Sequence, residues 1–249
     1  DDRNRVETYN HSEALSHSLS NNAISGLMED RTGVLWIGTI KGGINLVDNN
    51  RKQFRHYYHD PSNPNSLNDN DVYAIYEDGE ETLWVGTKSG LNRIDRQTGK
   101  VKIYEKLADN ENSPSGQIVG VIEPAPGGFL WLGYFDYKIS KFYPNTEQFI
   151  HFHHHELDPE SYLAWSARDI LVDRQKRTWF GASTYGLTQL KPNGRSFRYF
   201  PNESPIPLPS NKYSINCLHQ DRDGYLWVGS FDSGLSRFDP QQQTFKNYK

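Results

Sequence analysis

Short runs of apolar residues alternate with polar turns along this chain, and one run returns at a constant interval. Leu35-Trp36-Ile37-Gly38 is followed by four related copies, whose tryptophans are Trp84, Trp131, Trp179 and Trp227. The copies lie 47 or 48 residues apart. Four adjacent residues that can all be buried indicate a strand covered on both faces. A fixed period of this length with strand-like residues is typical of a propeller or a solenoid.

Each period predicts four short strands joined by turns. In the first period the predicted strands are 24–29, 34–39, 44–47 and 54–58, with Asp30 and Gly33 in the first turn. Asp can bond its own backbone and Gly can take a positive φ, so both residues favour turns. Four antiparallel strands in a meander form a propeller blade. We therefore predict an all-β fold, a single β-propeller domain over residues 1–249, with five four-stranded blades at about 22–58, 70–105, 117–153, 166–200 and 212–248.

The first residues of the chain match the last strand of every later repeat. Residues 5–9 alternate as that strand does, so we predict that they form an extra outer strand belonging to a preceding blade. Blade five has its own fourth strand at 245–248, so the extra strand is not needed to complete it. Either the five blades close into a ring with this strand left over, or they form an arc of a larger propeller, for example one of seven blades. We favour the arc.

The repeated tryptophan and glycine are best explained by packing. A glycine two residues after each tryptophan has no side chain on the tryptophan's face, which lets a neighbouring backbone or ring come close. A recurring ligand site is the alternative, but five copies of one element favour packing. Blade three departs from the repeat at two positions. Ala125 replaces the Asp that lies six residues before tryptophan elsewhere, and Lys138 replaces a glycine seven residues after it.

Two segments resemble a known family closely. Asn22 to Ile44 contains Glu-Asp-x-x-Gly-x-Leu-Trp-Ile-Gly-Thr followed by Gly-Gly-Ile, and Asp221 to Leu235 repeats the pattern with small changes. This pattern resembles the two-component regulator propeller repeat, and the resemblance extends over all five repeats, with repeats three and four matching less well. It implies a ligand-sensing module in the periplasmic sensor region of a membrane-anchored bacterial receptor, either a hybrid histidine kinase or a diguanylate-cyclase receptor. It also implies ligands derived from carbohydrates.

Composition narrows the function classes further. The formal net charge is −4 and long basic runs are lacking, which argues against nucleic acid as the main partner. No run approaches the ~18 apolar residues that a membrane span needs. The single cysteine, Cys217, cannot form a disulfide within the chain. We expect no cofactor.

Aromatic and acidic residues cluster in the turns between the second and third strands of blades three to five. Flat rings beside carboxylates suit a sugar, because the C–H faces stack on rings while the hydroxyls form hydrogen bonds. The alternative is that these rings merely cover the blade ends. The predicted ligand-binding residues, on the face formed by the inter-blade connections, are Tyr134, Phe135, Asp136, Tyr137, Trp165, Tyr185, Phe231 and Asp232.

Other chemistries have weaker support. His151, His153, His154 and His155 could bind a metal, but their spacing matches no established site, so we expect a solvated outer edge and no metal. Motifs for nucleophilic catalysis and phosphate binding are lacking. Acid pairs such as Glu29-Asp30 are better explained as turn formers. A glycosidase or lyase remains an alternative, with Asp136 and Asp169 as its best acids, and so does a pure protein-interaction scaffold.

Self-association is expected if the blades form an open arc. Such an arc exposes the inter-blade faces of its first and last blades, and large apolar faces tend to be covered. Light scattering in solution should therefore give a mass above that of one chain. A monomeric mass would contradict this expectation.

Overall fold

A computed structural model describes residues 6–48, 53–79, 81–136, 138–155, 157–158, 160–162, 166–183, 186–200, 214–231 and 233–248. These residues form five four-stranded antiparallel sheets and contain no helix. The predicted all-β propeller with five four-stranded blades is therefore confirmed. Over the same residues, no helix exists that is long and apolar enough to cross a membrane.

Within each blade the strands follow one another in space as they do in the chain. Blade one consists of β1 (Ile24–Glu29), β2 (Leu35–Thr39), β3 (Gly43–Asp48) and β4 (Gln53–Tyr57). Blade two consists of β5 (Val72–Asp78), β6 (Thr82–Thr87), β7 (Gly90–Asp95) and β8 (Val101–Tyr104). Blade three consists of β9 (Val119–Ala125), β10 (Phe129–Tyr134), β11 (Ile139–Tyr143) and β12 (Gln148–Phe152). Blade four consists of β13 (Ala167–Val172), β14 (Thr178–Ala182), β15 (Leu187–Leu190) and β16 (Phe197–Phe200). Blade five consists of β17 (Ile215–Gln220), β18 (Leu226–Ser230), β19 (Gly234–Asp239) and β20 (Thr244–Tyr248).

The chain divides into two compact units. Asp1–Ile103 contains blades one and two, and Tyr104–Lys249 contains blades three to five. In the first unit β1 lies beside β5, and in the second unit β13 lies between β9 and β17. The first strands of successive blades therefore neighbour one another in each unit.

The repeated tryptophans form the core between blades. Trp36, Trp84, Trp131 and Trp179 are each at most 2% exposed, whereas Trp227 in blade five is partly exposed. The Trp131 ring, for example, meets Phe180 of blade four edge-on, with 5.2 Å between centroids. The prediction that these tryptophans are packing residues is confirmed for the four that are buried.

In blades one, three and four, the glycine two residues after the tryptophan faces the first strand of the next blade. A Cβ atom placed on Gly181 would lie 2.6 Å from Ile215 Cγ2, and one placed on Gly133 would lie 3.2 Å from the Ala167 Cβ atom. Real Cβ atoms are almost never found at the shorter distance. The absence of a side chain therefore sets how closely two blades approach, as the sequence predicted.

An aspartate at the first turn holds the tryptophan of its own blade. Asp173 Oδ2 accepts a hydrogen bond from Trp179 Nε1 at 2.8 Å, while its Oδ1 accepts from the backbone N–H groups of Gln175 and Arg177. The same indole bond occurs in blades one, two and five, at distances of 2.9, 3.4 and 2.8 Å. The aspartate is thus a turn former, as predicted, and also the partner of the buried indole.

Blade three lacks this bond. Ala125 occupies the aspartate position, and the buried Trp131 Nε1 has no hydrogen-bond partner among the described residues. An unpaired buried donor costs about 1–3 kcal/mol. Blade three therefore gives up stability that its neighbours retain.

The connections between blades are ordered by repeated hydrogen bonds. In four of the connections, a serine hydroxyl accepts a hydrogen bond from the backbone N–H six residues earlier, at 2.9 to 3.0 Å; the serines are Ser18, Ser66, Ser113 and Ser161. A buried polar residue on the third strand holds the same connection, as Asn92 Nδ2 does by donating to Asn68 Oδ1 at 2.7 Å. The face of each blade that these connections cover is therefore built on fixed loops.

The extra strand at 5–9 was assigned to a preceding blade, and it stays a prediction. Residues 6–9 belong to no strand among the described residues, and residue 5 lies outside them. A strand needs a paired neighbour for its backbone hydrogen bonds. The Tyr9 ring of this segment meets Phe54 edge-on at 5.7 Å.

Restoring the aspartate in blade three should stabilise the protein. We expect Ala125→Asp to raise the free energy of unfolding by about 1 kcal/mol, because the new carboxylate can accept from Trp131 Nε1. In blade four, Asp173→Ala should lower it by roughly 2–4 kcal/mol, because it leaves the Trp179 and Arg177 donors unpaired. Urea unfolding of both variants measures these changes. A loss of stability in Ala125→Asp would contradict this role of the aspartate.

Candidate functional site

Blade three differs from blades one and two at the end of its second strand. Blades one and two have Thr39 and Thr87 there, each three residues after the repeated tryptophan. The Thr87 hydroxyl donates a hydrogen bond to Asn68 Oδ1 in the connection at 2.7 Å. Blade three has Tyr134 at this position, and the tyrosine is fully buried. Its hydroxyl lies near those of Ser115 and Ser140 but makes no hydrogen bond among the described residues, and burial raises its pKa.

Gly116 makes room for this larger side chain. A Cβ atom at Gly116 would lie 2.5 Å from the Tyr134 Cβ and 2.1 Å from Asp136 Oδ1. Blades one and two have Asn21 and Asp69 at the matching position of their connections. The tyrosine and the glycine therefore depend on each other, and together they reshape the surface above them.

Phe135 forms the centre of that surface. It is 36% exposed, and its ring centroid lies 5.8 Å from the Cζ atom of Arg168 in blade four. Gly120 lies against the ring, since a Cβ atom there would be 2.2 Å from Phe135 Cε1. Arg168 lies in a β-bulge, where the register of β13 and β14 shifts between Ala167 and Asp169. A bulge re-aims a side chain, which places the guanidinium beside the ring.

Asp136 and Lys138, which follow Phe135 in the chain, have charged and polar neighbours. Asp136 Oδ2 accepts from the Gln117 N–H at 3.3 Å and lies 3.7 Å from Lys106 Nζ. Asp136 Oδ1 is buried and has no hydrogen-bond partner among the residues that the structure describes. Lys138 Nζ donates to the Ser115 carbonyl at 3.2 Å. We call this group the blade-three surface: Lys106, Gln117, Phe135, Asp136, Lys138 and Arg168.

The structure brings part of the predicted site together. Phe135 and Asp136 lie on the blade-three surface, and Tyr134 forms its buried floor rather than its exposed wall. Phe231 lies in the corresponding turn of blade five, is 73% exposed, and donates its N–H to the Ser214 carbonyl at 2.9 Å. The other four predicted residues lie outside the described residues: Tyr137, Trp165, Tyr185 and Asp232.

Sequence reasoning missed the basic residues at this surface. Arg168 occupies the bulge position that holds Ser25, Tyr73, Gly120 and Asn216 in the other blades. A comparison of the five bulge positions could have found it, because it is the only positive charge among them. The pairing of Arg168 with Phe135 could not have been found, because it depends on the packing of two blades.

A model of a known protein family matches three of the five repeats. The two component regulator propeller family matches residues 18–41, 66–89 and 207–232. Three segments of the chain are therefore similar to two-component regulator propeller repeats. These three matches fall on the repeats of blades one, two and five, whereas blade three, which has the unusual surface, is not matched.

Two similar solved structures are extracellular domains of hybrid two-component systems. The extracellular domain of a hybrid two-component system from B. thetaiotaomicron shares 26% identity over 98% of this chain and 31% of that chain, with a TM-score of 0.79. A second such domain from B. thetaiotaomicron shares 26% identity over 93% and 30% of the two chains, with a TM-score of 0.71. The chain therefore spans about a third of the length of these proteins.

A more distant match shares the fold alone. Virginiamycin B lyase from Staphylococcus aureus shares 15% identity over 91% of this chain and 70% of that chain, with a TM-score of 0.66. No curated protein matches the chain.

The histidines of the predicted outer edge have two different environments. His153, His154 and His155 are exposed, and no group of metal-binding side chains occurs among the described residues. His151 instead bridges β11 and the preceding connection. Its Nδ1 lies 2.8 Å from Ser140 Oγ and its Nε2 lies 2.7 Å from the Glu111 carbonyl. Burial lowers the pKa of His151, which favours a neutral ring in this structural role.

Two acids, Glu123 and Asp169, lie between adjacent blades. The other blades have uncharged residues at the same positions of the repeat. Glu123 Oε1 accepts from the Val172 N–H of blade four at 3.1 Å. Asp169 Oδ2 accepts from the Leu218 N–H of blade five at 2.6 Å, and its Oδ1 accepts from the Ile170 N–H at 2.9 Å. Each carboxyl group therefore joins its first strand to the first strand of the next blade.

Burial shifts the ionisation of both acids. It raises the pKa of Glu123 to about 7, an effect to which the Asp169 charge adds. It raises the pKa of Asp169 to about 6, against the opposing effect of the two N–H groups. An acid whose pKa is raised on folding stabilises the folded state fully below its unfolded pKa, and this contribution is lost as pH rises through the folded pKa. The stability that these two acids contribute is therefore lost between about pH 4 and about pH 7.

Neutral replacements should change the pH dependence of stability. We expect Asp169→Asn and Glu123→Gln each to stabilise the protein at pH 8, on the order of 1–3 kcal/mol, because each removes a buried charge while retaining an acceptor oxygen. The gain should shrink towards pH 5. Denaturant unfolding from pH 5 to pH 8 measures it, with the exposed Asp109→Asn as control. If the free energy of unfolding depends on pH in both variants as it does in the wild type, the two acids do not cause this pH dependence.

Proposed function

We propose that this chain is the ligand-sensing part of a periplasmic sensor region of a two-component or cyclic-di-GMP signalling receptor. Its ligand is a small molecule derived from a carbohydrate, and it binds on the blade-three surface. The main support is the similarity of nearly the whole chain to extracellular domains of hybrid two-component systems. The parent protein is membrane-anchored in this proposal, and the output domain lies outside the chain.

The chemistry of the blade-three surface suits a sugar. The exposed Phe135 ring can stack on the C–H face of a pyranose, which is the usual role of an aromatic wall in a binding site. The Asp136 side chain is 35% exposed, and its carboxylate can accept a hydrogen bond from a hydroxyl group.

A ligand at this surface would touch two blades at once. Phe135 belongs to blade three and Arg168 to blade four, and their side chains lie against each other. A ligand that contacts both favours the packing of the blades in which these groups are correctly spaced. A sensor transmits a signal only when its ligand binds one conformational state better than another. The junction of blades three and four is therefore where we place the coupling.

We propose that the domain is not an enzyme. The similarity to a lyase concerns the fold alone. Asp169, one of the two acids considered for catalysis, uses both carboxylate oxygens to accept backbone N–H groups. These bonds commit the carboxylate to joining blades four and five.

A screen of oligosaccharides tests the proposal. We expect at least one oligosaccharide to raise the melting temperature, and calorimetry should then show that Phe135→Ala weakens its binding by about tenfold or more, because stacking is lost. The melting temperature of the free variant should change little, because Phe135 is exposed. Ile150→Ala is the matched control, since Ile150 is 49% exposed on the outer strand of the same blade.

Two results would overturn the proposal. Oligosaccharides that all leave the melting temperature unchanged would remove the assigned ligand class. Cleavage of a bound oligosaccharide, detected by chromatography, would show an enzyme instead of a sensor.

A further inference from the structure

We infer that the ligand of the blade-three surface bears an acidic group, a carboxylate or a sulfate, which the Arg168 guanidinium binds with help from Lys106 and Lys138. This inference rests on the proposed function and specifies the chemistry of its ligand. It depends on Arg168, which lies beside the exposed Phe135 ring, and on the two lysines of the blade-three surface.

Arg168 is held in a way that favours anion binding. Its guanidinium lies over the Phe135 ring, an arrangement that orients the planar group and leaves its N–H edge available. A guanidinium edge matches the two oxygens of a carboxylate or sulfate in bidentate geometry. The neighbouring Asp169 does not neutralise it by contact, because both Asp169 oxygens bond to backbone N–H groups.

Two arginines of the chain form close ion pairs with carboxylates. Arg96 binds Asp30 at 2.7 Å and Glu77 at 2.5 Å, and Arg177 binds Asp173 at 2.6 Å. Over the described residues, Arg168 makes no such ion pair, and its side chain is exposed beside the Phe135 ring. Its guanidinium can therefore bind an anion from solution.

The two lysines add further donors to the blade-three surface. Lys106 Nζ lies 3.7 Å from Asp136 in a partly exposed pair, and such a pair is weak enough to rearrange around a ligand. Lys138 Nζ donates one hydrogen bond to the Ser115 carbonyl and retains two further donors. Lys138 also takes the place of a repeat glycine, so the blade architecture does not require it.

The local charge differs from that of the chain. Three cations and one carboxylate form the blade-three surface, whereas the chain as a whole has a net charge of −4. An acidic ligand is repelled by most of the molecule and attracted here. Asp136 in turn accepts hydrogen bonds from hydroxyls, which distinguishes an acidic sugar from a simple anion.

Matched ligands separate the acidic group from the sugar. The probes are an oligogalacturonide, a sulfated galactose oligosaccharide and a neutral galactose oligosaccharide of equal length, each titrated in a calorimeter at low and physiological salt. We expect one of the acidic probes to bind about tenfold or more tightly than the neutral one. Which acidic probe binds decides between carboxylate and sulfate.

Variants locate the acidic group. Arg168→Gln should abolish the preference for the acidic probe over the neutral one, and Arg168→Lys should restore only part of that preference because the bidentate geometry is lost. Arg195→Gln is the control, because it removes one exposed charge from a turn elsewhere in blade four. Circular dichroism confirms that each variant is folded.

The outcomes distinguish this inference from the function on which it rests. Binding of the neutral probe as tightly as the acidic ones would overturn the inference and leave the proposed sensor intact. An acidic preference that survives in Arg168→Gln, or that falls equally in Arg195→Gln, would also overturn it. Failure of all three probes, together with failure of the wider oligosaccharide screen, would overturn both.

Discussion

The close contact between the second strand of one blade and the first strand of the next is the constraint on which the fold depends. The glycine after each buried tryptophan allows it, as Gly181 shows against Ile215. A side chain there would force the sheets apart and expose the tryptophan beside it. Burial of one tryptophan removes about 150–250 Å² from water, worth on the order of 4–6 kcal/mol at most. A side chain added at the glycine would therefore destabilise the fold strongly, because it would also expose the neighbouring tryptophan.

Most of the fold could be predicted from the sequence because each element is repeated. Any one Trp-x-Gly run fits several structures, but five runs at a constant interval fit few. Residues 6–9 form no strand among the described residues, because a sequence pattern reports a strand's preference and not whether a partner is present. The indole bond of Asp30, Asp78, Asp173 and Asp221 was missed because turn chemistry already explained an aspartate at that position.

The candidate site was harder to predict, because it arises where the repeat is broken. The sequence identified blade three as unusual and placed Phe135 and Asp136 in one turn. It did not reveal that Tyr134 lies beneath them, because a tyrosine in place of threonine can point either inward or outward. The burial of Tyr134 depends on Gly116, which is 18 residues away in the connection. The approach of Arg168 depends on the docking of a second blade. Both are tertiary effects that local patterning does not encode.

The glycine contact also bears on how such chains change over evolutionary time. It joins two different surfaces, the second strand of one blade and the first strand of the following one, so it is a head-to-tail contact. A head-to-tail contact leaves a free surface at each end, so any further copy of the same unit can be added to it. The indole bond, in contrast, is completed inside each blade. Gene duplication in steps of one period would therefore add or remove whole blades without requiring a new interface, leaving single blades such as the third free to diverge.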